Sequence, residues 1–242
     1  MISGKWQILR IVVALGSLSF VFAAPAQGTL SYPVTFTVQC DSDIVSEVFD
    51  QPLQTSVEVL NPSGNCIATI CQADSAIEPD PVVNLHFDVQ AGSSDTTFTI
   101  RSAVVSFPAL TNPEGVASSS LTLNDIDGNG ATLTGLESGG NVYKTIYNGS
   151  VSCTCLNSSY SVTNPYDGQV ESNRDPISGM SIMPDTITSI QSEYQFTLSA
   201  NDQASGTGTF DVQPVPEPLT LVGVLTGLAG LGGYVRRRVK PQ

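Results

Sequence analysis

The chain has 242 residues and a formal net charge of −13, with 9 Lys and Arg against 22 Asp and Glu. Only 13% of its residues are charged, and it contains 21 Gly and 15 Pro. This composition excludes coiled coils and helical bundles, which need Lys, Glu, Leu and Ala in bulk. The acidic balance also argues against nucleic-acid binding, because an acidic surface repels phosphate.

The first 26 residues have the features of a secretory signal peptide. Lys5 and Arg10 precede an apolar run at 11–24, and Ala24-Pro25-Ala26 is a small-residue cleavage site. The run is too short to cross a hydrocarbon core of ~30 Å. We therefore expect export of the chain and a mature ectodomain at 27–212.

The ectodomain alternates apolar and polar residues, which predicts half-buried β-strands. The length of the chain and the number of such segments favour ten to twelve strands in an all-β, antiparallel β-sandwich or a jelly-roll-like fold. A short helix is predicted only at 181–193. The clearest alternating segments are 33–38, 84–89, 97–100, 119–123, 131–136, 194–198 and 207–212.

Five cysteines lie in the ectodomain, and pairing is the default in an exported chain. Cys66 and Cys71 are separated by four residues and could close a small loop, while Cys40 could pair with Cys153 or Cys155. An odd count leaves one thiol over. A zinc site formed by the last four cysteines is the alternative, although it lacks Cys-x-x-Cys spacing.

Catalysis has little support in the sequence. His86 is the only histidine, and the strand pattern places its side chain opposite Leu85 and Phe87, beside Asn84 and Asp88. The ectodomain has no Gly-x-Ser-x-Gly motif for a nucleophile. We therefore predict that the protein is not an enzyme. Paired carboxylates remain open as the basis of a glycoside hydrolase.

The segment at 125–130 has the oxygen-rich pattern that Ca²⁺ prefers. Asp125, Asp127 and Asn129 alternate along the chain, and Gly128 and Gly130 permit a sharp turn. The twelfth position of an EF-hand loop would here be Leu136, not a carboxylate. Two interpretations stay open: a β-hairpin turn that uses Asp-Gly and Asn-Gly, or a turn that also binds calcium.

Residues 27–216 contain three cations against 21 acidic residues, a formal net charge of −18. Such a surface attracts divalent cations and basic partners. It repels acidic polysaccharide unless a cation bridges the two. Sugar stacking on aromatic rings would depend on tyrosines such as Tyr143 and Tyr147, since the sole Trp, Trp6, lies in the signal peptide.

The C-terminal segment 213–242 is organised as a second targeting signal. Val215-Pro216-Glu217-Pro218 precedes an apolar run at 219–235, and a basic cluster at 236–240 includes Arg236, Arg237 and Arg238. At 1.5 Å per residue the run would reach about 25 Å, enough for a thin bilayer. The basic cluster would stay on the cytoplasmic side.

This order of motif, apolar helix and arginine cluster resembles the PEP-CTERM sorting signal of Gram-negative and cyanobacterial envelope proteins. The resemblance implies recognition of Pro216-Glu217-Pro218 by an exosortase, a membrane-embedded transpeptidase. It further implies anchoring in the membrane until cleavage, then delivery to the cell surface or the extracellular matrix. It says nothing of what the ectodomain does.

Together these features favour an exported structural or adhesive protein of the cell surface or of a polysaccharide matrix. Its expected partners are the exosortase and extracellular polysaccharide, with Ca²⁺ as the candidate ion. The alternative function is a secreted polysaccharide hydrolase. A hydrolase requires a cleft with two close carboxylates, which the structural hypothesis does not.

Overall fold

The computed structural model describes residues 30–31, 33–78, 81–162 and 168–215, with side chains for all of these except 30–31 and 151–155. Seventeen β-strands in this part form two antiparallel sheets. The strands of sheet 1 are β1 (Leu30–Ser31), β4 (Val57–Leu60), β5 (Cys66–Glu78), β6 (Val82–Ala91), β9 (Glu114–Asn124), β14 (Gly168–Asp175), β15 (Ser181–Ile182) and β17 (Gln203–Gln213). The strands of sheet 2 are β2 (Val34–Cys40), β3 (Asp43–Phe49), β7 (Thr96–Ser102), β8 (Val105–Thr111), β10 (Ala131–Gly135), β11 (Asn141–Tyr147), β12 (Ser150–Ser158), β13 (Tyr160–Val162) and β16 (Thr186–Leu198).

The main path of sheet 1 runs β1-β5-β6-β17-β9-β14, and that of sheet 2 runs β12-β11-β16-β7-β2-β3. Their inner faces pack into one hydrophobic core. The all-β sandwich that the alternation predicts is therefore confirmed, and each of the seven clearest segments coincides with a strand, apart from the end residues Pro33 and Leu136. The strands outnumber the predicted ten to twelve because several span only two to four residues.

The middle of the core is aromatic. The ring centroids of Phe87 and Tyr194 lie 4.8 Å apart, and those of Tyr143 and Tyr194 lie 4.7 Å apart. The hydroxyl of Tyr194 lies 2.7 Å from the Ser119 hydroxyl, so its polar end is satisfied inside the core. Gly208 leaves room for these rings, since a Cβ there would lie 2.5 Å from Tyr143.

The predicted helix at 181–193 is wrong, because this segment forms β15 and the first half of β16. A register shift between Ile187 and Ser189 explains the error. The extra residues lie on β8, where four steps from Leu110 to Ser106 face two steps from Ile187 to Ser189. Beside this shift Ile187 and Ile190 are both buried although they stand three positions apart, a helical spacing. Otherwise the described part holds one 3-10 turn, at Ser138–Gly140.

The disulfide prediction for the described cysteines is also wrong, since Cys40, Cys66 and Cys71 are free thiols. Cys66 and Cys71 lie in the single strand β5, where five steps of ~3.3 Å separate them by about 16 Å. A disulfide needs Cα atoms within about 7 Å. The same separation rules out a shared zinc ion for these two thiols.

Cys40 cannot reach the last two cysteines through the sheet. It lies on β2, whereas Cys153 and Cys155 belong to β12, four strand positions away in sheet 2. At ~4.8 Å per position, that is about 19 Å. The side chains of Cys153 and Cys155 lie outside the described part.

The predicted targeting segments fall almost entirely outside the described residues. These are the signal peptide at 1–26, Pro216 to Pro218, the apolar run at 219–235 and the basic cluster at 236–240. Val215 is the last residue described, and 40% of it is exposed. Within the described ranges, no helix is long and apolar enough to cross a membrane.

Candidate functional site

The segment at 125–130 carries the chain from sheet 1 to sheet 2. It follows β9, which pairs with β14, β15 and β17, and it precedes β10, which pairs with β13 and β16. The interpretation as a β-hairpin turn is therefore wrong, because a hairpin joins neighbouring strands of one sheet. We call residues 125–130 the acidic crossover.

Asp125 organises the acidic crossover around its carboxylate. Its Oδ1 accepts a hydrogen bond from the Gly128 amide at 2.8 Å, and its Oδ2 accepts one from the Gly130 amide at 3.0 Å. Both glycines have positive φ, 81° and 97°, which most other residues adopt only with strain. These contacts bend the segment so that the Asp125 side chain is nearly completely buried.

A second crossover lies against the first. The turn at 199–202 returns the chain from β16 in sheet 2 to β17 in sheet 1. Asp202 accepts hydrogen bonds from the Ile126 amide at 3.3 Å and from the Ser199 hydroxyl. Asn201 donates to Asp127 Oδ2 at 3.2 Å. The two places where the chain changes sheets are thus joined to each other.

Three carboxylates meet at this junction. Oxygen atoms of Asp125, Asp127 and Asp202 all lie within 4.8 Å of one another, which is suitable spacing for a shared metal ion. Asp202 is completely buried and Asp127 is exposed. Burial, together with the charges of Asp127 and Asp125, raises the pKa of Asp202, against the opposing effect of its hydrogen bonds.

The membership of this cluster differs in one residue from the set expected from sequence. Asp125 and Asp127 take part, but Asn129 uses its side-chain amide to donate to Asp127 Oδ2 at 2.8 Å. Asp202 is the third carboxylate. No local pattern could have revealed Asp202, because it is 75 residues further along the chain than Asp127.

A second buried charge cluster lies in sheet 2 and was not expected from the sequence. Glu193 is fully buried on β16, with Lys144 opposite it on β11 and Arg101 opposite it on β7. Lys144 Nζ lies 3.0 Å from Glu193 and 2.7 Å from Glu137, and Arg101 also pairs with Glu193. These ion pairs join β7, β11 and β16, and of the four side chains only that of Arg101 is widely exposed.

His86 lies where the strand pattern places it. Leu85 and Phe87 are buried, whereas His86 is on the outer face of sheet 1, with its Nδ1 2.8 Å from the Thr207 hydroxyl. The strand register places polar side chains from five strands in one row on this face. In order across the sheet they are Asp74, His86, Thr207, Ser120 and Ser172.

Cavities of about 540, 160 and 70 Å³ open on the described surface. The first two lie on the outer face of sheet 1, and no carboxylate lines either of them within the described part of the chain. The third is lined by a single one, Asp175. Tyr143, considered from the sequence as a sugar-stacking residue, is completely buried and belongs to the core.

No family model and no curated protein matches the chain. Among solved structures, one similar chain is the carbohydrate-binding module TmCBM61, determined in complex with beta-1,4-galactotriose. The two chains are 13% identical, and the match covers 74% of this chain and 88% of that one, with a TM-score of 0.31. Similarity at this level does not extend to a ligand or a binding site.

Proposed function

We propose that this chain is an exported, non-enzymatic protein of the cell surface or extracellular matrix, with a structural or adhesive role. Sorting would depend on the PEP-CTERM-like tail and on cleavage by an exosortase at Pro216-Glu217-Pro218. The ectodomain would be stabilised by Ca²⁺ bound between Asp125, Asp127 and Asp202. The observation that carries the proposal is the meeting of these three carboxylates where the two sheets are joined.

The physical argument starts from the cost of burying like charges. Two of the three carboxylates are almost fully buried, and burial of neighbouring charges of like sign costs free energy that a proton, a counter-charge or a metal ion can offset. Ca²⁺ takes six to eight oxygen ligands, which three carboxylates, backbone carbonyls and water can supply. An ion here would hold both crossovers and therefore both sheets.

Calcium would also couple the stability of the ectodomain to its location. Sites in extracellular modules bind Ca²⁺ with Kd values of about 10⁻⁴ to 10⁻³ M. Such a site is occupied outside the cell, where calcium is abundant, and empty in the cytoplasm. The ectodomain would reach its full stability only after export, which suits a protein of the surface or matrix.

Thermal unfolding of the purified protein tests the calcium site. At 10 mM Ca²⁺, a Kd in that range stabilises the folded state by about 1.4–2.7 kcal/mol. For a domain of this size the expected rise in Tm over the EDTA sample is about 3–10 °C. Asp202→Asn should abolish the rise, and Asp50→Asn, which removes the same charge at an exposed position, should keep it. An equal rise in both variants would contradict the site.

The intact mass of the protein from envelope and medium fractions tests the sorting. A species from Gln27 to near Pro218 is expected. A species that retains Arg236 to Arg238 would contradict exosortase cleavage and indicate a single-pass membrane protein.

A further inference from the structure

A cavity of about 540 Å³ is a cleft on the outer face of sheet 1. Its floor is formed by neighbouring residues of β9 and β17, among them Ser118, Ser120, Thr207 and Thr209. Its wall is formed by Arg174 at the end of β14 and by Ile177, which is 91% exposed. We call this the Arg174 cleft.

Arg174 differs from the other cations of the ectodomain. Arg101 and Lys144 both pair with Glu193, whereas Arg174 forms no salt bridge to any described carboxylate. Its guanidinium instead donates to the backbone carbonyls of Pro176, Ile177 and Gly179. These three bonds fix the position of the group but leave its charge without an ion-pair partner among the described carboxylates.

The donors of Arg174 are also only partly used. A guanidinium has five N–H donors, and the three carbonyl bonds employ two on Nη1 and one on Nη2. The Nε donor and one Nη2 donor therefore remain for a ligand. An arginine in this state matches a carboxylate, which accepts two parallel hydrogen bonds.

The rest of the cleft matches a sugar. Its floor offers hydroxyl groups, which can donate or accept hydrogen bonds, and Ile177 offers an apolar surface for sugar C–H groups. The cleft also continues along the sheet, because the 160 Å³ cavity next to it shares Ser120 and Thr207 and extends to His86. From Thr209 to Ser205 the two span about 13 Å along β17, more than a single sugar ring.

From these observations we propose that the Arg174 cleft binds an acidic polysaccharide, with the carboxylate of a sugar unit on Arg174 and its hydroxyls on the floor. The inference rests on the proposed function for the location of its ligand, since an exported protein meets such polymers outside the cell. The ectodomain as a whole is acidic and repels an acidic polymer. At the cleft, the positive charge of Arg174 would attract the polymer without a bridging metal ion.

Isothermal titration calorimetry with oligogalacturonate and its methyl ester tests the proposal. The ester has the same length and hydroxyl groups, and it lacks the charge. In EDTA and low salt, the acid should bind the full-length protein at least tenfold more tightly than the ester. Equal affinity for the two, or no binding of either, would overturn the proposal.

Variants of the cleft make the test specific. Arg174→Gln should remove the preference for the acid, whereas Arg174→Lys keeps the charge and should retain part of it. Ser118→Tyr should fill the floor and weaken binding of both ligands at least tenfold, with Tm as the control for folding. The conservative Lys variant and the floor variant keep the test valid if Arg174→Gln disturbs the loop at 176–179. Unchanged preference in Arg174→Gln would overturn the proposal.

The use of EDTA separates this proposal from the calcium site. Binding of the acid that requires Ca²⁺ and is lost in Asp202→Asn would overturn the role of the Arg174 cleft and assign the polymer to the acidic crossover. Binding in EDTA that survives in Asp202→Asn would support the cleft, whatever calcium does to Tm.

Discussion

The two buried charge clusters of the ectodomain deal with burial of acidic groups in opposite ways. Glu193 lies in the sheet between Lys144 and Arg101, so its charge is compensated by the protein itself. Asp202 lies instead beside Asp127 and Asp125, whose charges add to the effect of burial and raise its pKa. The first cluster carries its own compensating charges, whereas the second makes stability depend on protons and cations in the surroundings.

The largest effect is expected when the compensated cluster is broken. Glu193→Gln keeps the shape of the side chain but removes the charge that faces Lys144, which is only 11% exposed. Loss of one partner of a buried ion pair costs about 3–5 kcal/mol when the other charge is left buried and unpaired. Glu137 remains 2.7 Å from Lys144 in this variant, so the lower end of that range is expected. Denaturant unfolding should show a free energy of unfolding lower by about 3 kcal/mol.

Arg101→Gln is the matched control for this variant. The Arg101 side chain is 52% exposed, so water can replace its contribution to the pair. Exposed ion pairs contribute about 0–1 kcal/mol, and the loss should stay in that range. If Arg101→Gln lowers the free energy of unfolding as much as Glu193→Gln does, the difference in burial between the two contacts does not set their contributions to stability.

The uncompensated cluster predicts an unusual dependence of stability on pH. Burial and the neighbouring carboxylates raise the pKa of Asp202 above that of the unfolded chain, about 3.9. Between these two pKa values the folded state binds more protons than the unfolded state. In EDTA, the free energy of unfolding should therefore fall as the pH rises through this window.

Comparison of the protein with Asp202→Asn isolates this contribution, since Asp88 also has a pKa raised by burial. The difference in unfolding free energy between the two proteins should change across the window and level off above it. With saturating Ca²⁺ this fall in the free energy of unfolding should disappear, because the bound ion offsets the charge that a proton neutralises at lower pH. A difference that stays constant from pH 4 to pH 8 in EDTA would contradict repulsion at Asp202.

The strands could be predicted from sequence because their signal is local. In segments such as 84–89 and 207–212, alternate side chains are buried, and a period of two is visible without knowledge of any partner strand. The same rule failed at Ile187 and Ile190, which are both buried three positions apart where the pairing of β16 with β8 shifts register. A bulge depends on the partner strand, which a single segment does not reveal.

Both charge clusters depend on long-range contacts, so sequence could predict them only in part. Asp125 and Asp127 belong to a recognisable local pattern, but Asp202 joins them because two crossovers lie together in the fold. The ectodomain has only three cations, so few ion pairs were to be expected. Which of 21 acidic residues would pair with them depends on strand order, which the alternation of residues does not determine.

The smallest effect is expected when the acidic crossover is given a cation of its own. Asn129 is exposed, and its side chain contacts Asp127 at 2.8 Å, so Asn129→Lys would place an ammonium group near the carboxylates. In EDTA this variant should be more stable by about 0.2–1 kcal/mol, the value of an exposed ion pair.

The rise in Tm caused by 10 mM Ca²⁺ should shrink in the same variant, because the lysine already neutralises part of the charge that the ion would bind. Asn129→Gln adds length without charge and should leave both quantities close to those of the original protein. If Asn129→Lys stabilises the protein in EDTA but the calcium effect keeps its full size, the ion does not bind at this cluster. If neither quantity changes, the lysine ammonium turns away from the carboxylates into water, and the comparison of the two clusters then rests on Glu193→Gln and Asp202→Asn.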